Sequence, residues 1–404
     1  MIFQKLSLAL ALLVSALPLS AATAPHQTST ESIRSQLLSQ TQSRLQGYTA
    51  QGPSNQIASL YQSSDWLMGL PTLSLSHLQG LDSRRSYEQQ LSLNLPVKSP
   101  AMQRLDEQLA PLNAKWVQQQ QKLQQLYLSG LLRQYWWQQQ LADAALRQLQ
   151  HKQQTLQQLL QRQQALSHSG ESPTSQLLML QRELLTLQLA VLPLTQQRSS
   201  ASDALQRLTG LSQLPSLDES NRALPQDDGA GNPLWQLASI QLQRQKLMAT
   251  STVNGDSTPW LFSVNAKNTA TPGMEEQAVG LSLDIPLPTR SGLSQQEVGT
   301  LVEQQLNLQQ QQQQLMLQTR LQLDDLLQQR HQLQQQQQLL QQSLQLAQQL
   351  TRALAATKQQ GLAQYQAWLR SYIDEMDTQS RLTLNQLTQS QLHSKQLQAL
   401  GVTL

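Results

Sequence analysis

The 404-residue sequence predicts a mainly α-helical protein made of two tandem repeats, each with a strand pair and a long helical hairpin. Residues 91–97 carry leucines at alternate positions, and the pattern recurs over residues 281–287, about 190 residues later. A Leu/Gln-rich stretch with helical periodicity follows each strand segment. A glycine, Gly170 or Gly361, interrupts each stretch where a hairpin would turn. Self-similarity at a fixed spacing indicates one supersecondary unit used twice.

Residues 1–22 are predicted to be a secretory signal peptide. Lys5 precedes an apolar run over residues 6–19, and Ser20-Ala21-Ala22 offers a small-residue cleavage site. The alternative is a membrane anchor, but the apolar run is shorter than the ~20 residues that a transmembrane helix needs. We expect no later segment to form a membrane helix.

The first repeat is predicted to span residues 23–210. A starter helix over residues 28–47 precedes strands within residues 70–97, where leucines alternate with Ser92, Asn94 and other polar residues. A polar loop over residues 79–86 separates the two strands. A helical hairpin follows over residues 101–208, with a turn around Gly170 and a predicted kink at Pro193.

The second repeat is predicted to span residues 211–404 and follows the same order. A Pro/Asp/Gly-rich linker over residues 210–233 leads to a helix over residues 234–249. Strands are predicted within residues 260–287, with a polar loop over residues 269–276 between them. A second hairpin occupies residues 291–400 and turns at Gly361.

Composition excludes several classes of function. The chain has no Cys, which removes disulfides, Cys-based zinc sites and thiol catalysis. Charge is nearly balanced, with 28 Lys and Arg against 25 Asp and Glu, and no basic run suggests a nucleic-acid partner. The six His are not clustered at metal-ligand spacing, and no catalytic triad or phosphate-binding loop is recognisable. We therefore expect no enzyme activity, no cofactor and no metal site.

The strands have the length of transmembrane β-strands, which is ~9–11 residues. One chain supplies four such strands, whereas bacterial barrels need at least ~8, so membrane strands here would require oligomerisation. Trp66 and Trp260 are candidates for interfacial anchors, with ordinary packing as the alternative. The predicted membrane-strand residues are Leu91, Leu93, Leu95, Phe262, Val264, Leu281, Leu283, Ile285 and Leu287.

This arrangement resembles the TolC-like outer-membrane efflux family over essentially the whole mature chain. The resemblance rests on residues 279–292, which look like that family's strand-to-helix junction, on the two glycine turns, and on Leu-Thr-Gly at residues 208–210. The Ile-Pro-Leu-Pro segment and the chain length favour the branch that includes heavy-metal efflux channels. The resemblance implies a homotrimer with a shared twelve-stranded barrel in the outer membrane of a Gram-negative bacterium and an α-helical barrel in the periplasm.

The resemblance also implies partners and sites. The helix turns would meet a periplasmic adaptor, or membrane fusion, protein, and the adaptor would link the channel to an inner-membrane pump of the resistance-nodulation-division type. The corresponding tip residues are Gly170, Glu171, Ser172, Gly361, Leu362 and Gln364. Each glycine could instead simply end a helix.

The family's channels carry acidic residues at the inner mouth, shortly after the tip glycines. Here the aligned positions are Gln176, Ala367 and Arg370, with Asp374 nearby, which puts cation preference in doubt. We expect three copies of Arg370 to form a basic ring at this periplasmic gate, since charged rings bias pore selectivity. The alternative is that Arg370 pairs with Asp374 or is solvated.

Two other classes of protein are compatible with long Leu/Gln helices. A periplasmic coiled-coil adaptor or spacer without a pore would have a single hairpin and usually a lipid or membrane anchor. A Gln-rich fibrous protein would lack paired strands at matched offsets. The exported substrate cannot be read from these residues, because the expected role is that of a passive conduit.

Overall fold

A computed structural model describes residues 25–48, 64–81, 86–171, 173–212, 214–226, 229–255, 258–287, 293–356 and 362–404. The predicted signal peptide lies outside these residues. The chain runs helix, strand, strand, long helix and shorter helix, and then repeats that order. The elements are α1 (Pro25–Tyr48), β1 (Thr72–Gln79), β2 (Tyr87–Val97), α2 (Pro100–His168), α3 (Thr174–Thr209), α4 (Pro233–Val253), β3 (Trp260–Thr271), β4 (Met274–Asp284), α5 (Gln295–Ala356) and α6 (Leu362–Ala399).

The two long helices begin at residues that suit a helix N-terminus. Ser99 accepts a hydrogen bond from the Met102 amide and precedes Pro100 in the first turn of α2. Before α5, the Ser294 hydroxyl accepts from the Glu297 amide while the Glu297 carboxylate accepts from the Ser294 amide, which is a capping box. The 69 residues of α2 therefore extend for roughly 100 Å.

Two prolines lie inside helices. Pro111 is within α2, and the helical prediction did not take it into account. Pro193 is within α3, which remains one continuous element from Thr174 to Thr209. The predicted kink at Pro193 stays a prediction.

The four strands form one antiparallel sheet in the order β1-β2-β3-β4. The strand pairs of the two halves are joined by β2 and β3, which pair over Tyr87–Val97 and Trp260–Ala270. Within the described residues, the outer edges of β1 and β4 have no strand partner. The predicted four strands per chain are therefore one continuous sheet with two open edges.

The predicted polar loop over residues 269–276 is wrong. Thr271 pairs with Met274, so that the hairpin turns on Pro272 and Gly273 alone. Gly273 has a φ of +88°, as the third residue of a tight Pro-Gly turn requires. The polar residues suggested a loop, but they form the solvated end of the hairpin, where the Asn268 side chain donates to the Glu275 carboxylate.

The second of the two strands predicted within residues 260–287 begins and ends earlier in the chain than expected. β4 runs from Met274 to Asp284, and the register with β3 ends where Leu261 faces Asp284. Ile285 and Leu287, which were predicted as membrane-strand residues, therefore lie beyond the strand. Pro286 explains the end, because proline has no amide hydrogen for the ladder.

Apart from α1, which packs against α2 and α3, the helices form a single layer. α2 packs along α3 on one side and along α4 and α6 on the other, while α5 packs on α4 and α6. The order across the layer is thus α3, α2, α6, α5, with α4 beside α2 and α5 in the part next to the sheet. In the described chain α5 touches only α4 and α6, which leaves its outer side as one edge of the layer and α3 as the other.

The largest apolar cluster lies midway along the helices, where α1, α2 and α3 meet the segment after α3. Trp136 and Trp137 are buried there, with their rings edge to face and their ring centroids 4.6 Å apart. Leu217 and Leu404 join the same cluster. The predicted linker over residues 210–233 is therefore packed into the core in part.

A buried ion pair joins the chain segments that meet at this cluster. The Arg133 guanidinium donates to both Glu219 oxygens at 2.7 and 2.9 Å and also to the Val402 carbonyl at 2.9 Å. Arg222 donates to Glu219 at 3.0 Å and to the Thr403 carbonyl at 2.7 Å. The two guanidiniums and the carboxylate thus link three chain segments, namely α2, the segment after α3 and the C-terminal residues.

Burial raises the pKa of the Glu219 carboxyl, but the Arg133 and Arg222 guanidiniums outweigh it and leave the pKa below its ordinary value of 4.5. A carboxyl whose pKa is lowered on folding stabilises the protein above its ordinary pKa. That contribution is lost as the pH falls through the folded value. The pair therefore stabilises the protein at neutral pH and fails under acid conditions.

We predict that Glu219→Gln lowers the free energy of unfolding at pH 7 by about 3–5 kcal/mol, because Arg133 keeps its charge in a buried site. As the pH falls below 5, the free energy of unfolding should also decrease less in the variant than in the parent protein. Thermal unfolding followed by circular dichroism across this range measures both effects. Asp143→Asn is the control, since Asp143 pairs with the exposed Arg198 and should cost at most about 1 kcal/mol. Equal losses in the two variants would contradict the assignment.

Candidate functional site

The sheet has one apolar face and one polar face. Because side chains alternate along each strand, the register places whole rows of similar residues on the same face. The apolar rows are Leu73-Leu93-Val264-Leu281, Leu75-Leu91-Ala266-Val279 and Leu95-Phe262-Leu283. The polar rows are Thr72-Asn94-Ser263-Ser282 and Ser74-Ser92-Asn265-Gly280. Seven of the predicted membrane-strand residues therefore share one face.

The apolar face is uncovered. Leu75 is 79% exposed and Leu281 is 71% exposed, and among the described elements no helix packs against the sheet. In a water-soluble protein such a face would be covered by a second layer. An exposed apolar face on a sheet with two open edges calls for a lipid environment and for neighbouring chains.

Aromatic residues lie at both ends of the apolar rows. Trp260 faces Val97 at the end where the strands lead into the helices, and Trp66 is at the same end, where its carbonyl accepts from the Lys98 amide. At the other end the rings of His77 and Tyr87 are 6.2 Å apart. Aromatic girdles at both borders of an apolar band are typical of membrane barrels.

The edges of the helix layer carry unpartnered leucines. On α3, Leu178, Leu185, Leu189 and Leu192 lie within a narrow arc on the side away from α2, and Leu189 is 69% exposed. α5 carries a broader exposed stripe. It includes Val302, Leu306, Leu317, Leu321, Leu339, Leu346 and Leu350. These stripes are the helical counterparts of the open strand edges.

α3 also meets the length and composition of a membrane-spanning helix, with an 18-residue window of mean hydropathy 1.4. On that criterion the expectation of no further membrane helix is wrong. One such helix is weak evidence for a span, because α3 packs along α2 and its apolar character comes partly from the leucine stripe.

The first helix tip is a glycine turn. Gly170 has a φ of +77°, and the Glu171 amide donates to the Leu166 carbonyl at 2.9 Å to close the end of α2. Glu171 is exposed. At the second tip, Leu362 begins α6 and Gln364 is exposed. Ser172 and Gly361 lie outside the described residues.

The four predicted gate residues differ in their exposure to solvent. Ala367, Arg370 and Asp374 are exposed on one side of α6, with spacings of three and four residues, opposite the buried Leu369. Arg370 makes no ion pair in the described part of the chain. Gln176 is buried instead, and its side-chain oxygen accepts from Gln163 at 2.8 Å. The structure thus brings three of the four together on a free surface.

Lys152 is a buried residue near the tips that the sequence analysis did not single out. Its ammonium group is 2.9 Å from the Asp377 carboxylate and 3.3 Å from that of Glu183, and it thereby joins α2, α6 and α3. The signal was available, because Lys152 shares the spacing of the core leucines Leu149 and Leu156. Within the described residues there is no group of three or more His, Cys, Asp or Glu that could hold a metal ion.

Comparison with known proteins gives a match in structure alone. No protein-family model and no curated protein sequence matches the chain. The outer membrane protein VceC from Vibrio cholerae matches with a TM-score of 0.66 and 15% identity, over 91% of this chain and 96% of that one. The open state of the Neisseria gonorrhoeae MtrE outer membrane channel matches with a TM-score of 0.64 and 11% identity, over 92% and 88%.

CusC, described in terms of folding and transmembrane channel formation, matches with a TM-score of 0.63 and 16% identity, over 92% of this chain and 90% of that one. The chain therefore has the fold of these outer-membrane proteins. The mainly helical fold with a small antiparallel four-stranded sheet, which the resemblance predicts, is confirmed.

Proposed function

We propose that this chain is the outer-membrane channel-tunnel of a tripartite efflux system in a Gram-negative bacterium. It is a passive conduit for substrates delivered by an inner-membrane pump through a periplasmic adaptor. The observation that carries the proposal is the four-stranded sheet, whose exposed face is apolar, whose other face is polar, and whose two edges are open. A barrel wall in lipid with a water-filled lumen requires this combination.

The open edges support a homotrimer. β1 of one copy can pair with β4 of the next, a head-to-tail contact that closes into a ring when the rotation allows it. Three copies supply twelve strands, which is an even number within the range of bacterial barrels. The fold shared with outer-membrane channels supports this arrangement over other ring sizes.

The helix layer supports the same ring. β1 and β2 lead into the α2–α3 hairpin, so the edge helix α3 belongs to the same half of the chain as the edge strand β1. β3 and β4 lead into the α5–α6 hairpin, so the edge helix α5 belongs to the same half as β4. A neighbouring copy that extends the sheet therefore also covers the leucine stripes. Residues 23–210 and 211–404 act as two structural repeats that contribute equally to the wall.

The helix tips are the docking surface for the adaptor. Gly170 and Glu171 end one hairpin in an exposed turn, and Leu362 and Gln364 begin the return helix of the other. We assign Ser172 and Gly361 to the same docking surface from their positions in the sequence. Ala367, Arg370 and Asp374 line the periplasmic gate next to them, and the buried Gln176 supports the wall behind it. No nucleic acid is involved.

The main alternative is a periplasmic adaptor or spacer without a pore. The two faces of the sheet distinguish the proposals. We predict that Leu281→Arg blocks outer-membrane assembly, because an arginine facing lipid near the middle of the bilayer costs about 2–4 kcal/mol in each copy. The neighbouring Ser282→Arg points to the polar face and should assemble. Envelope fractionation and native mass measurement in detergent report the result.

A trimer in the outer membrane for the parent and Ser282→Arg, but not for Leu281→Arg, is the expected pattern. A soluble periplasmic monomer or dimer in all three cases would favour the adaptor or spacer. Equal assembly of both variants would mean that the leucine face does not meet lipid.

The leucine stripe on α3 gives a second prediction. Leu189→Lys should weaken the trimer, because a lysine replaces an apolar contact and loses hydration at the interface between copies. Gln197→Lys is the control, since this exposed residue of α3 is rotated by about 80° from Leu189 and by about 140° from Leu192. The temperature at which trimers dissociate, followed by native electrophoresis, should fall only for Leu189→Lys. A fall of the same size in both variants would argue against the interface.

Arg370 gives a third prediction. If three copies of Arg370 surround the gate, Arg370→Ala should shift the ion selectivity of single channels toward cations, because a ring of positive charge repels them. Arg352→Ala removes an exposed arginine from α5 and is the control. Reversal potentials in a salt gradient measure the shift. Unchanged selectivity in Arg370→Ala would exclude the basic ring.

A further inference from the structure

A cleft of about 600 Å³ lies between the first turns of α2 and the last turns of α4. Its walls combine two cations with an apolar floor. Arg104 and Lys246 contribute the charges, and Leu105, Leu112 and Leu247 contribute the apolar surface. Neither the proposed pore nor the helix tips make use of this cleft.

The charge of the cleft is uncompensated. No carboxylate is among its lining residues. Arg104 and Lys246 are exposed, and neither belongs to an ion pair in the described part of the chain. The nearest acidic side chain in sequence, Asp106, pairs with Lys98. Two free cations that face one concavity favour an anionic ligand.

A buried hydroxyl points to the same conclusion independently. Ser251 lines the cleft and is only 7% exposed, yet its hydroxyl has no hydrogen-bond partner among the described residues. An unsatisfied buried hydroxyl is costly, so that a ligand acceptor in the cleft would stabilise the site. Leucines in the floor require that the ligand also has an apolar part.

The position of the cleft identifies the source of such a ligand. α2 begins three residues after the last residue of β2, Val97, and α4 ends at Val253 before β3 begins at Trp260. Both helix ends therefore adjoin the tryptophan end of the sheet. Under the proposed function, on which this inference rests, that end is the periplasmic border of the bilayer, where phospholipid headgroups lie.

We propose that the cleft binds the headgroup of an anionic phospholipid. The phosphate lies between Arg104 and Lys246, the Ser251 hydroxyl donates to it, and one acyl chain covers the leucines. The ion pairs select negative charge, and the leucines select a lipid over a free phosphate. The site would hold a lipid of the inner leaflet against each protomer.

Binding of short-chain phosphatidylglycerol to the purified mature protein, by titration calorimetry, tests the proposal. Phosphatidylcholine of the same chain length and inorganic phosphate are the comparison ligands. We expect the anionic lipid to bind at least tenfold more tightly than either. Each cation contributes about a fivefold factor, so that Arg104→Gln with Lys246→Gln should weaken binding about thirtyfold. Ser251→Ala, which changes no charge, should weaken it about threefold to tenfold.

The matched control is Arg162→Gln with Arg352→Gln, which removes two exposed arginines far from the cleft. An equal loss in the control would show that net charge alone attracts the lipid and would overturn the site. Equal affinity for phosphatidylcholine, or for inorganic phosphate, would overturn the lipid assignment. Native mass measured on the same sample keeps the two proposals apart. A trimer without lipid preference contradicts only this inference, whereas lipid preference in a protein that never trimerises contradicts only the proposed channel.

Discussion

The backbone groups along the outer edges of β1 and β4 have no partner within the described chain, because four strands make an open sheet and not a closed barrel. In water such edges can be solvated, but in the proposed channel the apolar rows face lipid, where each unsatisfied amide costs several kcal/mol. Only neighbouring copies can then satisfy both edges at once. The need for neighbouring copies also accounts for the apolar surface that the single protomer leaves exposed.

The order of the helices in their layer follows the order of the strand pairs in the sheet. Each strand pair leads directly into one hairpin, so that a copy added at β4 is necessarily added at α5 as well. In a ring of copies, the sheet and the helices must therefore follow the same rotation from one chain to the next. This requires that the helices hold fixed positions relative to one another. Arg133 fixes the helices midway along their length, since its guanidinium donates both to the Glu219 carboxylate and to the Val402 carbonyl and so links α2 to the segment after α3 and to the C-terminal residues. Lys152 performs the same task nearer the tips.

Local periodicity predicted most of this fold. Alternation located both strand pairs, and leucine spacing located all four hairpin helices to within a few residues. The predictions failed where the structure depends on residues that are distant in the sequence. The end of β4 depends on where β3 ends and on Pro286, and the pairing of Thr271 with Met274 depends on register. Leucine spacing places Lys152 on the core face of α2 but does not reveal its partner Asp377, which is 225 positions away. Glu219 has no comparable signal, because its role depends on Arg133, which is 86 positions away.

The abundance of glutamine follows from the same geometry. In the protomer α5 is exposed along nearly its whole length, and only Leu326 and Thr351 are buried. In a closed ring, one side of α5 contacts the next copy and the other side faces water in or around a narrow tunnel. Charged residues on the water-facing side would repel their symmetry-related copies, whereas glutamine is uncharged, polar and a good helix former. In the proposed channel, leucine at the contacts and glutamine elsewhere would thus satisfy packing and hydration without a strong electric field along the conduit.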